Sequence, residues 1–255
     1  MFSCGDDGKT FVIDIKSGKL AFTLPVHVDT VNDIVFSSNG NWVATCSYDK
    51  RISIFQLSMM TPKHKLKAHA APIMKMAFIG QNKLFSVDKN STGIIWNIYT
   101  AKVIERLEGI HDDVTQVVTA DNDQFLFLGT ALGYIIVYDL KTYKQLSRMY
   151  IKLKSSITSL IFDEETKYLI VSCEDGRLLY YNIYEGEDRL KSLLKEKKYA
   201  SIHSYVEVNP LLAYTKIYQL VSNLWDNTLK KAIVYLQKSD KKTAMKLFNL
   251  FKRHT

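Results

Sequence analysis

The stretch Gly93-Ile94-Ile95-Trp96-Asn97 decides the fold of this chain, because its pattern occurs four more times along the sequence. β-Branched and aromatic residues of this kind favour β-strands. Every copy ends in a large apolar residue followed by Asp, Asn or Gln, and the large residues lie 42, 41, 42 and 43 positions apart. A fixed period of this length indicates structural repeats. The other copies are Thr10-Phe11-Val12-Ile13-Asp14, Ile52-Ser53-Ile54-Phe55-Gln56, Ile135-Ile136-Val137-Tyr138-Asp139 and Leu178-Leu179-Tyr180-Tyr181-Asn182.

Two further landmarks keep the same period. His27, His69 and His111 lie 42 positions apart, and Lys154 follows 43 positions later. Between the landmarks, short apolar runs alternate with turn residues, which predicts an all-β chain of short antiparallel strands, about four in each repeat. Acidic turn residues precede four of the five repeated strands, at Asp7, Asp49, Asp88 and Asp175.

The order of His, turn Asp and large aromatic residue resembles the WD40-repeat β-propeller family, in which each repeat supplies one four-stranded blade. The resemblance covers residues 1–185, and the repeats are degenerate, since only Trp96 supplies the Trp. It implies a mainly β fold of about four and a half blades, followed by a C-terminal α-helical extension over 186–255. The first repeat has only its later strands, and the fifth turns helical after three. We therefore expect an N-terminally incomplete sequence, with a small or open propeller as the alternative.

The resemblance also implies a buried hydrogen-bond network in the third repeat, whose role is to fix the geometry of the blade. In the second repeat Phe55 removes the indole donor, and in the fourth repeat Leu132 replaces the acidic turn residue. The three repeated histidines fall in different blades and cannot share a metal ion. The sequence therefore predicts no catalytic, cofactor-binding or metal-binding residue. The predicted network consists of His69, Ser86, Asp88 and Trp96.

The net charge of +8 belongs to the C-terminal part of the chain. Residues 1–185 contain 20 basic and 20 acidic residues, whereas residues 186–255 contain 14 and 6. From residue 186 the apolar residues take helical spacing, including a long predicted helix from Leu211 to Gln237. Residues 232–250 loosely resemble one tetratricopeptide-type helical hairpin, so either more such units follow or the helices pack on the propeller. The candidate anion-contacting residues are Lys230, Lys231, Lys241 and Lys242.

These features predict a non-catalytic protein–protein interaction scaffold, whose propeller presents loop faces to partners and whose helical tail aids assembly. The alternative is a protein that binds an anionic membrane or nucleic acid through the basic helices. A propeller-type enzyme is the third reading. We expect no enzymatic activity, no cofactor and no small-molecule substrate. Cys4, Cys46 and Cys173 fall on one repeat position and are interpreted as buried packing residues; unpaired cysteines without a signal peptide predict a cytoplasmic location.

Overall fold

The structure, a computed structural model, describes residues 1–24, 26–59, 61–238 and 240–249 of the 255-residue chain. The chain divides into two compact units, Met1–Tyr180 and Tyr181–Thr255. We call them the sheet unit and the helical unit. The division falls close to residue 185, where the sequence pattern changes from strand-like to helical.

Eighteen strands are seen in the described part of the chain, and they form five antiparallel sheets in sequence order. The first sheet has three strands, β1 (Phe2–Cys4), β2 (Thr10–Ile13) and β3 (Leu20–Leu24). The second has β4 (Val31–Phe36), β5 (Trp42–Ser47), β6 (Ile52–Gln56) and β7 (Thr61–Leu66). The third has β8 (Ile73–Ile79), β9 (Lys83–Asp88), β10 (Gly93–Asn97) and β11 (Lys102–Leu107). The fourth has β12 (Val114–Ala120), β13 (Phe125–Thr130), β14 (Tyr134–Asp139) and β15 (Gln145–Lys152). The fifth has β16 (Ile157–Asp163), β17 (Tyr168–Cys173) and β18 (Leu178–Asn182).

Each complete sheet contacts the next one through its first strand. Strand β4 contacts β8, β8 contacts β12, and β12 contacts β16, while β1 of the first sheet contacts β4. Four-stranded antiparallel sheets that pack face to face in sequence order are the blades of a β-propeller. The predicted mainly β fold with propeller blades and C-terminal helices is therefore confirmed.

Apolar side chains fill the space between neighbouring sheets. Ile52 and Ile54 of the second sheet lie in one cluster with Ile73, Leu84 and Trp96 of the third. A second cluster joins the third and fourth sheets. Burying a side chain of this size contributes about 1.5–3 kcal/mol. All residues of β5 and β13 are buried, because these strands are covered on both faces. This explains why they are nearly continuous apolar runs instead of alternating patterns.

The fifth sheet differs from the complete sheets at its third strand. Leu178 is 54% exposed and Tyr180 is 58% exposed, whereas Ile52 and Ile54 at the equivalent positions of the second sheet are fully buried. The equivalence follows from the repeat period, since Tyr181 matches Phe55. The described fifth sheet ends after three strands, as the repeat pattern predicts.

The helical unit contains α1 (Glu187–Lys195), α2 (Tyr199–Val208), a 3-10 turn (Pro210–Tyr214), α3 (Lys216–Gln237) and α4 (Lys241–Asn249). The long predicted helix from Leu211 was wrong at its start, because α3 begins only at Lys216. The Thr215 hydroxyl accepts a hydrogen bond from the Tyr218 amide and caps the helix, while Pro210 begins the separate 3-10 turn. None of the described helices combines the length and the apolar character that a membrane crossing requires.

Candidate functional site

A buried polar network connects three parts of the third sheet. His69 Nδ1 lies 2.9 Å from Asp88 Oδ2, and His69 Nε2 lies 2.7 Å from Ser86 Oγ. The Trp96 indole donates to the same Ser86 Oγ at 2.7 Å. The structure thus brings together all four residues that the sequence singled out. They come from the segment before β8, from β9 and from β10, so the network ties these elements to one another.

The environment of His69 favours its neutral form. Burial lowers the pKa of His69, and the neighbouring Asp88 carboxylate only partly offsets this effect. In a neutral imidazole, Nδ1–H donates to Asp88 and Nε2 accepts from the Ser86 hydroxyl, which in turn accepts from Trp96. The other carboxylate oxygen of Asp88 accepts from the amides of Asn90 and Thr92 and so holds the β9–β10 turn.

The connectivity Ser86–His69–Asp88 matches that of a Ser–His–Asp catalytic triad, but its surroundings do not suit catalysis. Ser86 is fully buried, and its oxygen already accepts the indole hydrogen of Trp96. A nucleophile must reach the substrate atom that it attacks. This arrangement can orient strands and satisfy buried polar groups, but it presents no nucleophile to solvent.

The second sheet holds a smaller version of the network. His27 lies 3.0 Å from Asp49 Oδ2 and 2.9 Å from Thr45 Oγ1. Phe55 occupies the position of Trp96 and is fully buried, so no indole donor is present there. Burial acts to raise the pKa of Asp49, but hydrogen bonds from the Val28 amide and from His27 outweigh it and lower this pKa.

The fourth sheet replaces the network with a different one. Leu132 stands where the acidic turn residue belongs and is 65% exposed, and His111 is also exposed. Tyr138 instead donates to the Glu108 carbonyl, and the Gln145 amide donates to both the Tyr138 hydroxyl and the Gly109 carbonyl. Burial raises the pKa of Tyr138 to about 12, so this hydroxyl stays protonated as a donor. In the sequence, Tyr138 in the position of the Trp indicated that the network differs here, but no pattern pointed to its partner Gln145. The sequence analysis named Tyr138 only as a repeated strand residue, and it did not identify Gln145.

The cysteines do not all occupy one repeat position. Cys46 faces Ile52 across the β5–β6 pair, and Cys4 faces Thr10 at the equivalent place. Cys173, however, pairs with Ile157, as Ser47 does with Val31 in the second sheet. Cys173 is therefore shifted by one residue, in agreement with its position eight residues before Tyr181, where Cys46 lies nine before Phe55. The prediction that all three share one repeat position was wrong. Within the described residues, no three His, Cys, Asp or Glu side chains come together as a metal site would require.

The four candidate anion-contacting lysines lie on two helices that contact each other. Lys230 and Lys231 belong to α3, Lys241 and Lys242 belong to α4, and all four are exposed. Ala232 and Ala244 are fully buried. No ion pair of the four lysines is seen within the described part of the chain.

Four-stranded blades with a buried His–Ser–Asp–Trp network define a WD40-type β-propeller module. The family model named WD domain, G-beta repeat, matches residues 18–56, which run from β3 through β6 and include His27 and Asp49. The sheet unit of this chain is therefore similar to WD40-repeat proteins.

Its similarity to curated proteins extends over about two thirds of the chain. A WD repeat-containing protein 55 homolog from Drosophila yakuba is 26% identical over 181 residues, covering 69% of this chain and 35% of that protein. The homolog from Drosophila willistoni is 28% identical over 172 residues, covering 66% of this chain and 33% of that protein. The chain therefore spans about a third of the length of the curated relatives it matches.

Proposed function

We propose that this chain is a non-catalytic scaffold that binds other proteins through the exposed turns and outer strands of its blades. WD40 repeats generally mediate protein–protein interactions. The observation that carries the proposal is the burial of the repeated polar residues: His69, Ser86 and Asp88 hold the blade together and face away from solvent. The repeated polar residues stabilise the blade from its interior. The exposed surface of the blades is then the part that can bind a partner protein.

The physical advantage of such a surface is rigidity. The carboxylate of Asp88 holds the β9–β10 turn, and Asp49 accepts from the Arg51 amide in the β5–β6 hairpin turn. A surface that is already ordered loses little conformational entropy when a partner binds. Turns fixed in this way support binding without a folding step.

Two measurements test this proposal together. The tagged chain is incubated in a native extract, the captured proteins are identified, and each is purified and titrated against the chain by calorimetry. We expect at least one stoichiometric, saturable partner. Absence of saturable binding by every purified candidate would contradict a scaffold role.

The alternative hypothesis, that Ser86 is a catalytic nucleophile, has a direct test of its own. A fluorophosphonate probe labels serine nucleophiles that are activated by a histidine, and here it should leave Ser86 unlabelled. The Ser86→Ala variant is the matched control for background labelling. Specific labelling of Ser86 would show an accessible nucleophile and overturn the non-catalytic assignment.

A second candidate function is binding to an anionic surface through the helical unit. It is favoured by the exposure of Lys230, Lys231, Lys241 and Lys242 on two contacting helices. The test is co-sedimentation with vesicles of phosphatidylcholine and phosphatidylserine, with phosphatidylcholine vesicles as the control. Binding of the unmodified chain to the anionic vesicles should weaken steeply as salt is added. A quadruple Lys→Glu variant at these positions should lose that binding. Unchanged binding by the variant would show that these lysines are not the binding site.

A cytoplasmic location is also part of the proposal. It rests on three free thiols at Cys4, Cys46 and Cys173, since disulfides are rare in reducing compartments. Imaging of the tagged protein in its own cells tests it, and a signal confined to another compartment would contradict it.

A further inference from the structure

The segment from residue 50 to residue 87 contains seven basic residues and no acidic residue. The sheet unit around it is nearly neutral, with 20 basic and 19 acidic residues over 1–180. The charge of this unit is therefore unevenly distributed. The seven basic residues are Lys50, Arg51, Lys63, Lys65, Lys67, Lys75 and Lys83.

Two of these lysines are used inside the sheet unit. Lys83 Nζ donates to the Tyr143 hydroxyl at 2.7 Å, and Lys75 lies close enough to Asp33 to act on the pKa of that carboxyl. Burial raises the pKa of Asp33, and the charge of Lys75 acts in the opposite direction. These two positions are accounted for by contacts between neighbouring sheets.

Three other lysines lie together at the outer edge of the second sheet. Lys63, Lys65 and Lys67 are exposed and alternate with His64 and Leu66 along β7 and the residue after it. Leu66 is buried in the cluster shared with the third sheet, and His64 Nε2 lies 3.0 Å from the Tyr99 carbonyl of that sheet. Because side chains alternate along a strand, Lys65 projects from the side opposite His64 and Leu66. Lys63 is the unpaired residue of a bulge in β7, and Lys67 follows the strand.

A fourth cation reaches this edge from the third sheet. The Arg106 guanidinium on β11 donates to the carbonyl of Ala68, the residue that follows Lys67, at 3.4 Å. This contact places the Arg106 guanidinium beside the C-terminal end of β7. No ion pair is seen for Lys63, Lys65, Lys67 or Arg106 within the described residues. We call these four residues the basic edge.

We propose that the basic edge docks an acidic segment of a partner protein. This inference rests on the proposed scaffold function and names the chemistry of the partner. Charge complementarity is the first argument, because four exposed cations that form no ion pair among the described residues attract and orient a run of carboxylates. The exposed aliphatic side chains of Val103 and Ile104, on the same strand as Arg106, are the second. The apolar side chains of a peptide can cover them.

The partner binds through side chains and does not extend the sheet. Pro62 lacks an amide hydrogen, and the register of β7 against β6 shifts between Phe55 and Ile54. A proline and a bulge interrupt the ladder that an added strand would need. The segment is therefore expected to lie along the edge, with its carboxylates near Lys63, Lys65, Lys67 and Arg106.

Fluorescence anisotropy with the full chain tests the proposal. The probe is a labelled peptide that contains Glu alternating with Ser and Leu, and a single-stranded oligothymidylate with the same number of negative charges is the comparison. The test variant is K63E/K65E/K67E, and the matched control is K16E/K19E/K89E, which changes three exposed lysines of the same unit. Circular dichroism confirms that each variant is folded. A second variant, K63Q/K65Q/K67Q, removes the charge without reversing it.

We expect the peptide to bind more tightly than the oligonucleotide. The basic-edge Lys→Glu variant should weaken peptide binding at least about tenfold, the Lys→Gln variant should weaken it less, and the control should change it by less than about twofold. Tighter binding of the oligonucleotide, an equal loss in the control, or no peptide binding would each overturn the inference. The scaffold function is judged separately: if the K63E/K65E/K67E variant still captures every identified partner, the scaffold stands and this surface is not the one used.

Discussion

Replacing Trp96 by Phe tests whether the buried network stabilises the third sheet. The change removes the indole donor to Ser86 Oγ but keeps an aromatic ring, and Phe55 shows that the equivalent position of the second sheet accepts Phe with complete burial. Loss of one buried hydrogen bond costs about 1–2 kcal/mol. The smaller ring leaves roughly 40 Å³ unfilled, which at ~24 cal/mol per Å³ costs about 1 kcal/mol more. The expected loss in the free energy of unfolding is about 2–3 kcal/mol.

Urea unfolding followed by circular dichroism measures this loss, as a fall in the midpoint of about 1 M. Ser86→Ala is the partner variant, because it removes the atom that joins His69 to Trp96. Combined in a double-mutant cycle, the two changes should couple by about 1 kcal/mol, since each removes the same hydrogen bond. A loss below about 0.5 kcal/mol for Trp96→Phe, or fully additive effects, would refute the stabilising role of the network.

Three further predictions address other parts of the sheet unit. Burial lowers the pKa of His69, so below about pH 6.5 the unfolded chain binds more protons than the folded chain does. The free energy of unfolding should therefore fall as the pH drops from about 7. In urea titrations at several pH values, His69→Gln should show a flatter pH profile. In thermal unfolding, Gly133→Ala should destabilise the protein by about 1–3 kcal/mol more than Gly18→Ala does. Both glycines have positive φ, but only at Gly133 would a Cβ meet backbone carbonyl oxygens, at 2.5 and 2.6 Å. A thiol reagent should modify the partly exposed Cys4 in the native protein and the buried Cys46 only after unfolding, as mass spectrometry would show.

Each of these predictions has a result that would contradict it. A pH profile that is the same with and without His69 would mean that its protonation does not differ between the folded and unfolded states. Equal losses for the two glycine variants would show that the chain around Gly133 relaxes freely. Rapid labelling of Cys46 under native conditions would show that the interface between the second and third sheets opens readily.

The blades could be predicted because their signals are local. A strand needs only alternation over about five residues and a turn at each end, and these features recur with the 42-residue period. The His69 network was also visible, because its members sit at fixed distances from the repeated strand. The start of α3 was not, since helical spacing continues through Leu211 and Leu212 and only the Thr215 cap separates the 3-10 turn from the helix.

Sequence spacing predicted side-chain hydrogen bonds less reliably than it predicted strands. Asp88 binds His69 as Asp49 binds His27, yet Asp49 pairs from the hairpin turn and Asp88 from the end of β9. Two chain positions thus deliver a carboxylate to the same place. In the fourth repeat, Leu132 indicates that this carboxylate is missing. No residue near Gln145 in the sequence predicts that its amide joins Tyr138 to Gly109.

The sequence determined the period, the strands and the order of the blades, because each follows from contacts and propensities within a few residues or one repeat. Tertiary structure decided which polar groups are buried together. His27 and His69 face inward because a carboxylate about 20 residues away reaches them, whereas His111 is exposed. It also decided that Arg106 lies beside the end of β7, since that neighbourhood depends on how two sheets pack and not on the 38 residues between Lys67 and Arg106.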